Sequence, residues 1–170
     1  MLRYVERPGE LGGPEAEQSL SVYGDGRVVA QRPRFARRAG SWTTTLGSSE
    51  LEGLLRSLLE RGIVEFDEER VRRDRRDLRE QRRLQRGELH HVSDPETVTV
   101  ELHLDRYRGA GPGAREQRDL VKRIRWRGLR SDLRRHPELE DLQRLGEVHG
   151  DLRALMERPD LRPLDPPGGS

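Results

Sequence analysis

The chain has no cysteine, which excludes a disulfide framework, thiolate catalysis and thiolate-bound metal. Lysine is nearly absent: 32 of the 33 basic residues are arginine, Lys122 being the exception. Only seven aromatic residues are present, too few for a base-stacking platform. No apolar run is long enough to cross a membrane, and MLRYVERPGE has no apolar signal core, so the expected setting is cytoplasmic with no membrane contact. Leu, Ile, Val and Phe account for 39 of 170 residues, enough for one thin core.

What is abundant is charge. Charged residues make up 38% of the chain, yet the formal net charge is only +2. With so few groups titrating just above neutrality, a small excess of arginine is enough to raise the isoelectric point to 9.5. The charges are blocked. Residues 27–38 hold five Arg and no acid, residues 115–135 hold nine basic residues against three acids, and residues 138–165 hold eight acids against four Arg. Such blocks can neutralise one another in the fold.

The stretch 49–66, SELEGLLRSLLERGIVEF, organises the chain. Leu51, Leu54, Leu55, Leu58 and Leu59 fall on one helical stripe, with Ser49 and Glu52 as a capping box. Gly62 ends this helix in the left-handed conformation and turns Ile63 back onto Leu58, after which 63–66 reads as extended. Upstream, residues 2–5 suit a first strand. SLSVYGDGRVVAQ is a β-hairpin turning on Gly24-Asp25-Gly26, and SWTTTL is a third strand with Trp42, Thr44 and Leu46 on one face.

Residues 67–86 carry nine Arg and six acids around Val71, Leu78 and Leu84. Pairs one turn apart, such as Glu68–Arg72, support a helix, and its lack of a broad apolar stripe marks it as exposed, either frayed or projecting from the body. In 96–107, Val98, Val100, Leu102 and Leu104 alternate with Thr97, Thr99, Glu101, His103 and Asp105. DLVKRIRWRG returns as the partner strand, with Leu120, Ile124 and Trp126 on the buried side and Lys122 interrupting it. Residues 131–135 form a helical turn. Pro137 opens a last helix to about Glu157, with Leu142, Leu145, His149, Leu152 and Met156 in its stripe. The Pro- and Gly-rich residues 159–170 read as a disordered tail.

SLSVYGDGRVV, then TL, then SSELEGLLRSLLERGIVEFD resembles a numbered bacterial domain family of unknown function, in which a Gly-Asp-Gly hairpin, a strand and a leucine-rich helix follow one another. TVTVELHL, VKRIRW and HPELEDLQRL are similar to its second hairpin and terminal helix. The resemblance implies a fold, not an activity. Members carry a Cys-x-x-x-Cys-Pro element before the first hairpin, whereas GELGGPEAEQ here has no cysteine.

Few residues suggest chemistry. His90, His91 and His103, with Glu101 and Asp105, are candidates for a metal-dependent hydrolase site. The plainer reading is a wet sheet face whose acids pair with Arg123, Arg125 or Arg127. His149, in an apolar stripe, reads as a neutral core histidine with one satisfied nitrogen rather than a general base. Arg123, Arg125 and Arg127 are the residues of a nucleic-acid-binding alternative, although alternation sends Trp126 inward, away from them.

These readings converge on one α+β domain over residues 1–158. Two hairpins and one or two further strands form a mainly antiparallel sheet, two amphipathic helices cover one face, and residues 67–87 add a charged helix. Leu20, Val22, Trp42, Leu54, Leu58, Val100, Leu102, Ile124, Leu142 and Leu152 are the expected core. The expected function is a non-catalytic module, without cofactor, that binds another protein through Arg72, Arg73, Arg76 and Arg79 of the charged helix.

Overall fold

Leu2, Tyr4 and Glu6 alternate with Arg3, Val5 and Arg7, and this run forms β1 (Leu2–Arg7), the strand that joins the two halves of the sheet. The structure, a computed structural model, describes residues 1–9, 12–86, 94–109, 113 and 115–164. A 3₁₀ turn at Pro14–Ala16 leads into a meander of β2 (Gln18–Val22), β3 (Arg27–Arg32) and β4 (Gly40–Thr45). A long hairpin of β5 (Thr97–Arg108) and β6 (Glu116–Arg127) forms the other half. With β7 (Arg162–Pro163) the order is β6-β5-β1-β2-β3-β4-β7, every pairing antiparallel. In register, Leu2 of β1 lies opposite Val22 on one side and Leu102 on the other. The protein is therefore α+β, as its pattern of elements implies.

Among the described residues four helices supply the second layer: α1 (Ser48–Glu60), α2 (Glu68–Arg86), α3 (Leu129–Arg135) and α4 (Glu140–Met156). Leu58, Val71 and Leu129, with Leu142, Leu145 and Leu152, join Tyr4, Leu20, Val28, Val100 and Ile124 in one core, so all four helices cover the same sheet face. Each of those side chains contributes on the order of 2 kcal/mol by burial. Trp42 and Leu54 are only partly buried, at the rim of that core rather than inside it. Among the described residues no helix is long and apolar enough to cross a membrane.

Several local expectations change. Helix α1 starts two residues earlier than the Ser49–Glu52 box implied: Gly47 is the N-cap, and its N–H donates to Glu50 Oε2 at 2.9 Å. Its end is as read, with Gly62 at φ 70° and the Ile63 N–H donating to Leu58 O at 3.2 Å. Residues 63–65 form a turn and Phe66 is irregular rather than part of a strand, Ile63 and Phe66 both being drawn into the core. Pro137 sits in a turn before α4, whose N-cap is Leu139. Lys122 interrupts the apolar face of β6 by reaching to the Phe66 carbonyl, 2.7 Å away, so its stem packs while its charge is hydrogen-bonded.

Two larger corrections concern α2 and the tail. Helix α2 lies against the body rather than projecting. Val71 is buried, and the Arg72 and Arg75 guanidinium groups stand 4.9 and 5.4 Å from the centre of the Trp126 ring. A cationic face thereby replaces the missing apolar stripe. Residues 159–164 of the expected tail are tied to the body: Leu161 is buried, and Arg162–Pro163 extends the sheet beside Trp42 and Thr43. Hydrogen bonds from Arg158, with a further one from Thr44, hold the Asp160 carboxyl down to about 2. The remaining expected tail, 165–170, lies outside the described residues.

Candidate binding face

The helices leave the second face of the sheet open, and among its described residues none is buried. Strand pairing sets its side chains on a grid. Arg123 of β6, Glu101 of β5 and Arg3 of β1 form one row across three strands; Arg125, Thr99 and Val5 form the next; Arg127, Thr97 and Arg7 the third. Neighbouring strands lie about 4.8 Å apart, so the β6 and β1 arginines form two ridges about 10 Å apart with β5 as the floor. Between them is a hollow of about 220 Å³, with Thr97, Thr99 and Val5 at its base and Glu17 at its rim.

Charge in the hollow is only partly compensated. Arg123 Nε meets Glu101 Oε1 at 2.9 Å, and Arg7 meets Glu17 Oε2 at 2.6 Å. Arg3 and Arg125 make no ion pair with the described residues, and both are exposed. Four arginines thus line the hollow against two glutamates.

The core side of β1 explains why this strand is firmly placed. Glu6 is buried and receives hydrogen bonds from the Tyr4 hydroxyl at 3.0 Å, Gln18 Nε2 at 2.7 Å and Arg153 at 3.1 Å, together with one from Arg130. The Tyr4 hydroxyl also meets His149 Nδ1 at 2.9 Å. With the Tyr4 proton given to Glu6, the ring donates from Nδ1. Burial, then the Glu6 charge, raises the Tyr4 hydroxyl above its ordinary value. Burial lowers the His149 imidazole, so it is a neutral core histidine with a satisfied nitrogen. Every even-numbered side chain of β1 is thus fixed inward, and Arg3 and Arg7 are fixed outward.

Helix α2 guards the edge of β6 beside this face. The Arg125 N–H donates to Glu68 Oε2 at 2.9 Å, and the Arg125 carbonyl accepts from Arg72 at 2.8 Å. One i,i+4 pair thus satisfies both outward backbone groups of an edge residue. Arg75 and the Trp126 indole N–H both bond Asp132, tying α2 to α3 through the ring.

The residues singled out by sequence separate accordingly. Arg123, Arg125 and Arg127 share the open face, with Trp126 buried behind them. Arg72 is committed to Glu68, Arg125 and Trp126, while Arg73, Arg76 and Arg79 lie on the exposed side of α2. His103 is exposed on the open face, opposite Val121, and Glu101 is engaged by Arg123. His90 and His91 lie outside the described residues, and among the described residues no three His, Asp or Glu side chains are grouped to hold a metal ion. The sequence alone does not point to Arg3 and Arg7. Their alternation in LRYVER signals a strand, but only the pairing of β1 with β5 brings them beside the β6 arginines. No protein-family model matches the chain, and no curated protein matches it.

Proposed function

We propose that this protein is a non-catalytic cytoplasmic module that binds another protein, and that the contact is the open sheet face rather than α2. The observation that carries this reading is the pair of arginine ridges around a hollow on a sheet face without buried residues. Arginine is favoured at protein interfaces because its planar fork makes several directional hydrogen bonds at small desolvation cost. No aromatic side chain lines the hollow, which favours a protein over a nucleic acid, whose bases would have no ring to stack on.

The test is affinity capture from the native host with the wild-type chain and with the double variant Arg3→Glu/Arg125→Glu. Both positions are exposed, so circular dichroism should be unchanged. A partner held by the wild type and lost by the folded double variant supports the face. A partner held equally by both removes it, and loss on Arg73→Glu/Arg76→Glu instead would return the contact to α2.

A further inference from the structure

We infer that the groove between the arginine ridges receives an extended acidic segment of the partner, whose carboxylates on alternate residues meet Arg3 and Arg125. The inference rests on the protein-binding reading above and gives that partner a chemistry. The ridges stand two strand spacings apart, about 10 Å, which is the room one extended chain with its side chains occupies over a sheet. Arg3 lies opposite Glu101 and Arg125 opposite Thr99, so these two arginines face each other diagonally across β5, offset by one side-chain repeat. Same-side residues of an extended peptide repeat at about 6.8 Å, the same offset, so a pair whose side chains both point down into the groove reaches both rows, one carboxylate turning to each ridge. Two carboxylates in an i, i+2 relation can therefore each take a forked guanidinium.

The remaining lining suits the same occupant. Arg123 and Arg7 already hold Glu101 and Glu17, which leaves Arg3 and Arg125 as the cations available to a ligand in the hollow. The Thr97 and Thr99 hydroxyls on the floor both donate and accept, which matches a peptide backbone laid over them. Glu101 and Glu17 oppose an unbroken acidic run and select carboxylates at spaced positions. The strands that carry the two arginines are held in place, since the even-numbered residues of β1 are pinned in the core and the β6 edge is held by α2.

The experiment is fluorescence anisotropy with the full chain at low salt and three labelled probes. They are a short peptide alternating Glu and Thr, the same peptide with Gln for Glu, and oligo-dT. The Glu peptide should bind best and weaken with added salt. Arg3→Glu/Arg125→Glu should weaken it about tenfold or more, the sum of two exposed charge contacts, while Arg73→Glu on α2 leaves it unchanged. Equal binding of the Glu and Gln peptides, tighter binding of oligo-dT, or no loss in the double variant each overturns the inference. So does binding of no probe at all. In that case a partner still captured through Arg3 and Arg125 would leave the protein-binding reading standing with a different chemistry, whereas loss of capture specificity strikes that reading itself.

Discussion

At Gly26 the backbone φ is 85°, and a Cβ there would lie 2.4 Å from the Leu46 carbonyl oxygen. That oxygen belongs to the main chain, and the Leu46 N–H donates back to Gly26 O at 2.8 Å, so neither partner can step aside. Gly26→Ala is expected to cost at least about 2 kcal/mol, the left-handed penalty plus the clash. An unchanged urea midpoint would show that the junction yields. Glu6 makes the opposite kind of demand. Its carboxylate satisfies Tyr4, Gln18, Arg130 and Arg153 at once, and Glu6→Leu leaves a buried hydroxyl and two guanidinium groups without it. Arg130 and Arg153 retain side-chain exposures of 48% and 37%, so they can turn to water and temper the loss. A destabilisation of about 2–4 kcal/mol is expected in chemical denaturation. A loss below about 1 kcal/mol would mean that the network contributes little beyond the packing of its stems.

Among the elements, α2 departs most from its sequence pattern. Periodicity and one-turn ion pairs suffice to read it as a helix, because both are local. Its docking is not legible, because the groove it enters is made by Phe66, Trp126 and Asp132, and its contact side chains are arginines rather than leucines. The strands were legible for the converse reason: Val98 to Leu104 alternate strictly, Leu120 to Trp126 do so apart from Lys122, and one buried face fixes their register. Strand β7 and the edge clamp had no such signal, since each depends on a long-range partner. Deleting residues 69–87 and joining the flanks removes Val71 and uncovers Trp126. The expected result is a loss of more than about 3 kcal/mol, seen as a fall in the thermal midpoint, rather than an intact domain without an arm. At smaller scale, Glu68→Ala should speed hydrogen exchange at the Arg125 amide while amides in the centre of the sheet keep their protection. Equal protection of Arg125 in both proteins would dismiss the clamp.

For the whole molecule, the candidate face is the least legible feature. Arg123, Arg125 and Arg127 announce themselves on one strand, but the opposing ridge comes from residues near the start of the chain, and no pattern within either segment states that β1 pairs with β5. Buried histidines are the clearest route from this architecture to a global property. His136 is 1% exposed and faces Asp132 of α3, Arg75 and Arg82 of α2, and Glu138; His149 is 7% exposed and faces Tyr4, Glu6, Arg130 and Arg153. Burial is the largest cause at both, and it holds both imidazoles below the ordinary value, with the neighbouring carboxylates opposing it and the arginines adding to it. In the unfolded chain each histidine protonates near its ordinary value of about 6.5. Above that pH both states carry neutral rings and the two histidines give stability no slope. Below it the unfolded chain binds protons that the folded one excludes, so stability falls as pH drops from about 6.5 towards the depressed folded values. Ordinary carboxylates titrate near 4, so the interval from about 6.5 to 5 reports on histidine. Urea denaturation across that interval should show a downward slope of up to two protons per molecule unfolded, largely removed in His136→Asn/His149→Gln. A slope that persists in this double variant would place the proton uptake elsewhere and refute the assignment to these two rings.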